Sequence, residues 1–323
     1  MDNIIKNKEY EIFEALNKAD IQDYKIIGNS KITISYPSTI WIGKKGSISF
    51  CSPNKVDDEI NVINNSQSSV VILHKDIPVS KINTQNKTII LVSNPREVFI
   101  KILNSCFPLS KKQGEINTSA IIEKGAEIHK SVYIGPYCVI GKCKIDKETV
   151  IHPNVIINDN VKIGKNVTIF PGCVIGYDGF GYNRNKDGTI EKFPHYGGVL
   201  IEDDVEIGSN VSIDRGTLGD TIIKKGVKID NFSHIAHNVI IGKYSLIIAH
   251  TMLGGSTKIG DYSWIAPSVA IREGIKIGDK SLVGLGAVVT KDVPDNAVVV
   301  GNPAQDLNIF KNRQKKLKEL LKD

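Results

Sequence analysis

From Ile223 to Val289 an aliphatic residue recurs at every sixth position: Ile223, Ile229, Ile235, Ile241, Ile247, Leu253, Ile259, Ile265, Ile271, Ile277, Val283 and Val289. An α-helix would repeat near 3.6 residues and a half-buried strand at 2, so neither produces this pattern. A six-residue beat marks a parallel solenoid whose coils stack an aliphatic column on each face. With three faces, ~18 residues make one coil, and each coil adds about 4.8 Å, the spacing between neighbouring strands.

The beat starts earlier, at Ile116, Ile122, Ile128, Ile134 and Ile140, slips by one, and resumes from Ile145 to Ile175. Residues 177–198 are rich in Gly, Asp, Asn and aromatics and read as a loop thrown out of the coil. The repeat returns at Ile201, Ile207 and Ile213, stumbles around Thr217–Thr221, and then runs clean. Four positions after each aliphatic residue sits a small or β-branched one, such as Val227, Ser233, Val239, Ser245 and Thr251. Gly, Asn and Asp recur between them, as tight corners require. The fold class expected is mainly β: a parallel β-helix over residues 113–304, with the loop 177–198 inserted.

Residues 1–112 lack the repeat. Ile32–Ile34, Val70–Leu73 and Lys87–Val92 predict strands, and Asn94-Pro95-Arg96-Glu97 signals a helix start running on to Cys106. A small α/β domain is expected there. Pro303 is expected to close the solenoid, and Leu307, Phe310, Leu317 and Leu321 mark one face of a basic helix over residues 305–323.

The net charge of +6 is no nucleic-acid signature, because much of the excess is local: Lys311–Lys318 holds five basic residues and no acid. Five cysteines (Cys51, Cys106, Cys138, Cys143, Cys173) without framework spacing suit a reduced, cytoplasmic protein. With no long apolar run, no stable membrane insertion is expected.

His237 lies two positions past Ile235 and should project from its coil. Eighteen residues on stands Gly255, which leaves room above an imidazole and can turn its N–H toward a reacting carbonyl oxygen. A base beside an oxyanion donor is the minimal equipment for acyl transfer to an amine. A solvated surface histidine is the plainer alternative.

The stretch Gly176-Tyr177-Asp178-Gly179-Phe180-Gly181-Tyr182, then Ile213-Asp214-Arg215-Gly216 and Ile229-Asp230-Asn231…Ile235-Ala236-His237-Asn238-Val239, resembles the UDP-3-O-acylglucosamine N-acyltransferase family of lipid A biosynthesis. The resemblance covers most of residues 90–320. It implies left-handed winding and a homotrimer. The substrate would be a nucleotide-linked amino sugar, with acyl-acyl carrier protein or acyl-coenzyme A as co-substrate and no bound cofactor. It puts the general base on His237 and the oxyanion amide on Gly255. Asn231 matches an active-site asparagine, and Phe180, Gly181 and Tyr182 would border the sugar. Gly46–Phe50 resembles the uridine-binding entry, placing Phe50 at the nucleotide, although Pro53-Asn54-Lys55-Val56 lacks the family's tyrosine. Ile271–Ile275 also lacks the histidine usual two coils past the base.

The tail from Gly284 and Gly286 to Pro294, with Gly301–Ala304, looks more like coenzyme A-dependent sugar acetyltransferases. The donor is therefore expected near His250, Gly284 and Gly286, and a short-acyl transferase acting on a dideoxy amino sugar nucleotide is the alternative activity. A non-catalytic scaffold and a metal hydratase are further alternatives. The hydratase would need three ligands converging from His234, His237 and His250, and His250 falls on another face, so no metal is expected. His195 reads as loop surface or substrate contact, Arg215 as an ion pair with Asp214, and Cys138 and Cys173 as small core fillers. The basic tail is either a solvated face or a landing strip for an acidic carrier protein or coenzyme A phosphates.

Overall fold

The computed structural model describes residues 8–51, 56–110, 112–301 and 307–321. The chain forms two compact units, Met1–Lys111 and Lys112–Asp323.

In the first unit a five-stranded sheet runs in the order Lys25–Ile27, Thr88–Val92, Val70–His74, Ser47–Phe50, Tyr36–Pro37. The last four strands are parallel and the first is antiparallel. Val70 and Ile72 pack into one core with Ile12, Leu16 and Ile102, while Val71 and Leu73 pack into another with Ile63 and Ile89. Burial on both faces explains why this strand is an unbroken apolar run. Asn94 caps the helix Pro95–Cys106 by accepting the Glu97 N–H at 3.2 Å. The helix Ile12–Lys18 and the helix Val56–Asn65 were not predicted. The first has no side-chain N-cap bond and spans only seven residues, too short for an apolar period to stand out. Lys87 is buried, and its ammonium donates to the carbonyls of Ile63 (2.6 Å), Asn64 (3.3 Å) and Ser66 (2.9 Å), at and just past the end of the helix Val56–Asn65.

In the second unit, three parallel sheets of nine, nine and eight strands form the faces of a solenoid. Coil-to-coil register follows the repeat: Ile229 pairs with Ile247, Ile247 with Ile265 and Ile265 with Val283. Each of these side chains is at most 3% exposed, so the aliphatic columns are the core. One such side chain contributes roughly 1.5–3 kcal/mol by burial.

The small residues predicted four positions on are buried too, and their hydroxyls knit successive coils. Ser245 Oγ donates to Gly260 O at 2.7 Å, Thr251 Oγ1 to Ala266 O at 3.2 Å and Ser263 Oγ to Gly278 O at 2.7 Å. Cys138 and Cys173 take the same role toward His152 O and Gly208 O. Burial pushes the Cys173 thiol up to about 11, which suits a core filler rather than a nucleophile.

Three residues past each aliphatic corner the backbone turns left-handed, and the residue there is often not glycine: Phe232, Asn238, Tyr244, His250, Ser256 and Tyr262 have φ between 55° and 61°. A neighbouring coil holds several of them in place. The Tyr244 N–H donates to Lys225 O (3.0 Å), that of His250 to Asn231 O (3.0 Å) and that of Ser256 to His237 O (2.9 Å). These bonds offset the one-to-two kcal/mol that such a conformation costs.

Two interruptions shape the site. The segment 177–198 is not structureless: the strands Tyr182–Arg184 and Ile190–Lys192 pair as a hairpin, closed by an ion pair between Lys192 and Asp178. The second is the spacing from Ile213 to Ile235, which pair although 22 residues apart. The extra residues, around Gly216–Gly219, are the stumble seen in the sequence.

The helix Leu307–Leu320 follows the solenoid, with Leu317 and Leu321 exposed. Pro53–Lys55, Asn302, Pro303 and Ala304 lie outside the described residues, as do the side chains of Leu307 and Phe310. Among the described residues no helix is long and apolar enough to cross a membrane, and no group of three or more His, Cys, Asp or Glu side chains could hold a metal ion.

Candidate active site

His237 follows the strand His234–Ile235 and precedes the left-handed corner at Asn238. Its Nδ1 lies 3.2 Å from Asn238 Oδ1. The orientation of that amide is settled by its other bonds: Oδ1 accepts from Thr217 N–H (3.0 Å) and Thr217 Oγ1 (2.8 Å), while Nδ2 donates to Gly219 O (3.4 Å). Because Oδ1 accepts, His237 Nδ1 carries the hydrogen, and in the neutral ring Nε2 keeps its lone pair. The extra residues of the irregular coil therefore have a purpose: they supply Thr217 and Gly219 to fix Asn238, which fixes His237.

Nε2 faces Gly255. A Cβ built on Gly255 would stand 2.6 Å from both Cε1 and Nε2 of His237, closer than any real contact allows. The carbonyl of Gly255 is used, accepting Gly274 N–H at 2.9 Å, while its own N–H has no hydrogen-bond partner among the described residues. The eighteen-residue stacking read from the sequence is thus the stacking in the structure.

Three further groups surround the imidazole. Asp214 is buried, with Oδ2 3.7 Å from His234 Nε2. Burial raises its carboxyl above the ordinary carboxylate range, and the neighbouring His234, His237 and His195 act against that rise. Gly179 fits between Asp214 and His237: a Cβ there would lie 3.1 Å from Asp214 Oδ2 and from His237 Cβ and Cδ2. His195 packs edge-on against His237, with ring centroids 5.6 Å apart at 76°.

Two expectations need correction. His195 is not loop surface: it is 6% exposed, because the hairpin folds back over the coil and drives it against His237. Nor does Arg215 pair with Asp214. Its guanidinium donates to Gly176 O, at the bulge of the strand Val174–Asp178, and to Asp159 O, both at 2.7 Å. Asn238 was missed altogether; its one signal is its place beside His237 next to an irregular coil.

The remaining sequence candidates divide between places. Gly181 lies against His195, with a built Cβ 3.0 Å from Cε1, whereas the rings of Phe180 and Tyr182 are exposed and touch each other at 4.9 Å. Asn231 precedes the strand His234–Ile235 and so sits at the opposite corner from His237. There its Oδ1 accepts Ser209 N–H at 2.7 Å. His250 is at that same corner one coil on, exposed and stacked on Phe232 at 5.2 Å. Gly286, two coils above His250, has φ +65° and open space around a built Cβ, and Gly284 packs against Val300. Phe50 is in the first unit, where its ring packs 4.8 Å from Phe99. A single chain therefore gathers His237, Gly255, Gly181, His195, Asp214 and Asn238 at one corner, and Asn231, His250, Gly284 and Gly286 along another.

The chain matches the bacterial transferase hexapeptide (six repeats) family over residues 142–177 and 220–255. It is 42% identical to the UDP-3-O-acylglucosamine N-acyltransferase of Methylacidiphilum infernorum (isolate V4), an alignment covering 87% of this chain and 84% of that protein. The enzyme of the same name from Christiangramia forsetii is 37% identical, with 90% of each chain covered. Among solved structures, the UDP-N-acetylglucosamine acyltransferase of Francisella novicida superposes with a TM-score of 0.54 at 29% identity, covering 64% of this chain and 79% of that one. The UDP-N-acetylglucosamine O-acyltransferase of Moraxella catarrhalis gives 0.54 at 30%, covering 62% and 77%.

Proposed function

Because the chain belongs to the UDP-3-O-acylglucosamine N-acyltransferase family, we propose that it acylates the amino group of a UDP-linked 3-O-acylglucosamine in lipid A biosynthesis, with His237 as general base and the Gly255 N–H as oxyanion donor. The fold is accordingly the mainly β, left-handed parallel β-helix of hexapeptide-repeat transferases. The observation that carries the reading is the fixed tautomer of His237, whose free Nε2 faces a glycine with an unspent N–H.

In the reaction, the sugar amine attacks the thioester carbonyl carbon and gives one proton to His237 Nε2. The C–N bond forms, and the developing oxyanion takes the Gly255 N–H. Collapse breaks the C–S bond, the imidazolium returns its proton to the thiolate, and amide and free thiol leave. Asp214 supports the transient imidazolium electrostatically from the Cδ2 side. No covalent enzyme intermediate is required.

The two separated corners support a homotrimer, in which Asn231, His250, Gly284 and Gly286 of one chain would complete the site around another chain's His237. The sheet that ends at His237 also presents exposed Ile121, Met252 and Val288, the apolar surface that such an assembly would cover. The exposed basic residues Arg313, Lys315, Lys316 and Lys318 suit an acidic acyl carrier protein as donor partner. A cytoplasmic location fits such a donor.

The test is to incubate the protein with UDP-3-O-acylglucosamine and either acyl-acyl carrier protein or acyl-coenzyme A, and to follow amide product by mass spectrometry. Product from wild type and a loss of about 10²–10⁴ in rate for His237→Ala are expected. A His237→Ala enzyme with wild-type turnover would sink the assignment. Product from short-chain coenzyme A thioesters alone would move the reading to the short-acyl alternative.

A further inference from the structure

His195 holds the one buried side-chain nitrogen or oxygen without a partner among the described residues, its Nε2. The other ring nitrogen, Nδ1, lies 2.9 Å from Phe193 O. A carbonyl can only accept, so Nδ1 carries the hydrogen and Nε2 of the neutral ring is a bare acceptor. Leaving such an atom buried and unpaired costs stability, and native chains rarely tolerate it outside functional sites. Here it is kept on a ring 5.6 Å from that of His237. It is covered by the backbone at Gly181, where only a glycine lets the chain pack this closely over the ring: a Cβ would stand 3.0 Å from Cε1 and 3.7 Å from Nε2. The hairpin is pinned at its base by the Asp178–Lys192 pair, so His195 is presented by a built element.

An unpaired acceptor beside the base asks for a hydrogen-bond donor on the substrate. A primary amine has two hydrogens and a lone pair, whereas a hydroxyl has one hydrogen. A nitrogen held ~2.9 Å from each of two imidazole Nε2 atoms lies about 4 Å from each ring centre, so ring centres up to about 8 Å apart can share it. The two rings here meet that limit. We propose that His195 is a substrate-binding residue whose Nε2 accepts the second N–H of the sugar amine while His237 takes the first, so that the pair selects a primary amine over a hydroxyl at the acylated position. Both hydrogens being engaged, the amine lone pair is left to face the thioester carbon. This rests on the amine-acylating reading above and adds the residue that recognises the amine.

The test uses the full-length enzyme and two variants. His195→Phe keeps an aromatic ring against His237 and removes the acceptor; His195→Gln keeps an acceptor and removes the ring. Affinity is measured by calorimetry at alkaline pH for UDP-3-O-acylglucosamine and for its counterpart with a hydroxyl in place of the amine. Melting temperature and kcat/KM with the amine are recorded alongside. The expected result is a His195→Phe protein that melts at or above the wild-type temperature. It should lose about tenfold in affinity and in kcat/KM for the amine, with the hydroxyl counterpart unaffected, and His195→Gln should recover part of the loss. If His195→Phe binds the amine as wild type does, or loses both ligands equally, the proposal is overturned. Wild type that acylates the amine while His195→Phe does so equally well defeats this inference alone; wild type that binds neither ligand defeats the amine-acylating reading with it.

Discussion

Replacing Gly255 by alanine tests the stacking of one coil on the next as a catalytic device. The new Cβ would stand 2.6 Å from Cε1 and Nε2 of His237, and an ordinary carbon contact needs ~3.5 Å or more. About 1 Å must therefore be found. The corner cannot supply it, because Gly255 O holds Gly274 N–H and Ser256 N–H is tied to His237 O, both at 2.9 Å. The imidazole has to yield, and its 3.2 Å bond to Asn238 Oδ1 goes with it. A displacement of that size at a reacting centre costs about 10²-fold in rate, or roughly 2.7 kcal/mol of transition-state stabilisation. The fold should be spared, since Gly255 is not in a left-handed conformation and its N–H survives in alanine. The assay is steady-state acylation alongside thermal melting. Gly125→Ala serves as the opposite case: at φ +106° it should lower the melting temperature and leave kcat alone. A Gly255→Ala enzyme within about threefold of wild-type kcat/KM would refute the steric argument and the role given to the coil above His237.

Lys87→Met should destabilise the first unit by about 1–3 kcal/mol, because three carbonyls at the end of the helix Val56–Asn65 lose their shared donor; chemical denaturation measures this, and an unchanged midpoint would contradict it. Asp214 has its folded pKa raised by burial, so its ionised form is penalised in the fold. That penalty is absent below the unfolded carboxylate pKa of ~3.9 and complete once pH exceeds the raised folded value. Asp214→Asn should accordingly gain melting temperature relative to wild type as pH rises from acid to neutral while its turnover falls; a difference that shrinks with pH would reverse the sign and the argument. Deleting residues after Ala304 should raise the KM of an acyl carrier protein donor and flatten its salt dependence while the sugar KM stays put, since charge steering fades over a Debye length of ~8 Å at physiological salt; unchanged donor kinetics would remove the basic helix from the donor site.

The solenoid was written in the sequence because its stabilising interaction is periodic. An aliphatic side chain every six residues can bury itself in only one way, and coil spacing then places Gly255 over His237 by arithmetic. The hydroxyl ladder through Ser245, Thr251 and Ser263 was visible as a pattern of small residues, although its bonds to the next coil were not. What broke the period was not legible. The 22-residue spacing between Ile213 and Ile235 looked like a stumble, yet it supplies Thr217 and Gly219 to orient Asn238 and so chooses the nitrogen of His237 that stays free. His195 read as surface because its neighbours in sequence are those of a loop. Only the fold of the hairpin, closed through Asp178 and Lys192, brings it against His237 and buries its unpaired nitrogen. Arg215 shows the same limit: a charge beside a charge suggests an ion pair, but the backbone carbonyls of Gly176 and Asp159, distant in sequence, are the acceptors the fold brings to it. Periodic burial is a local property that each repeat states again, so sequence determines it. Which polar atoms are left to meet across an insertion depends on where two irregular segments land, and that is decided in three dimensions.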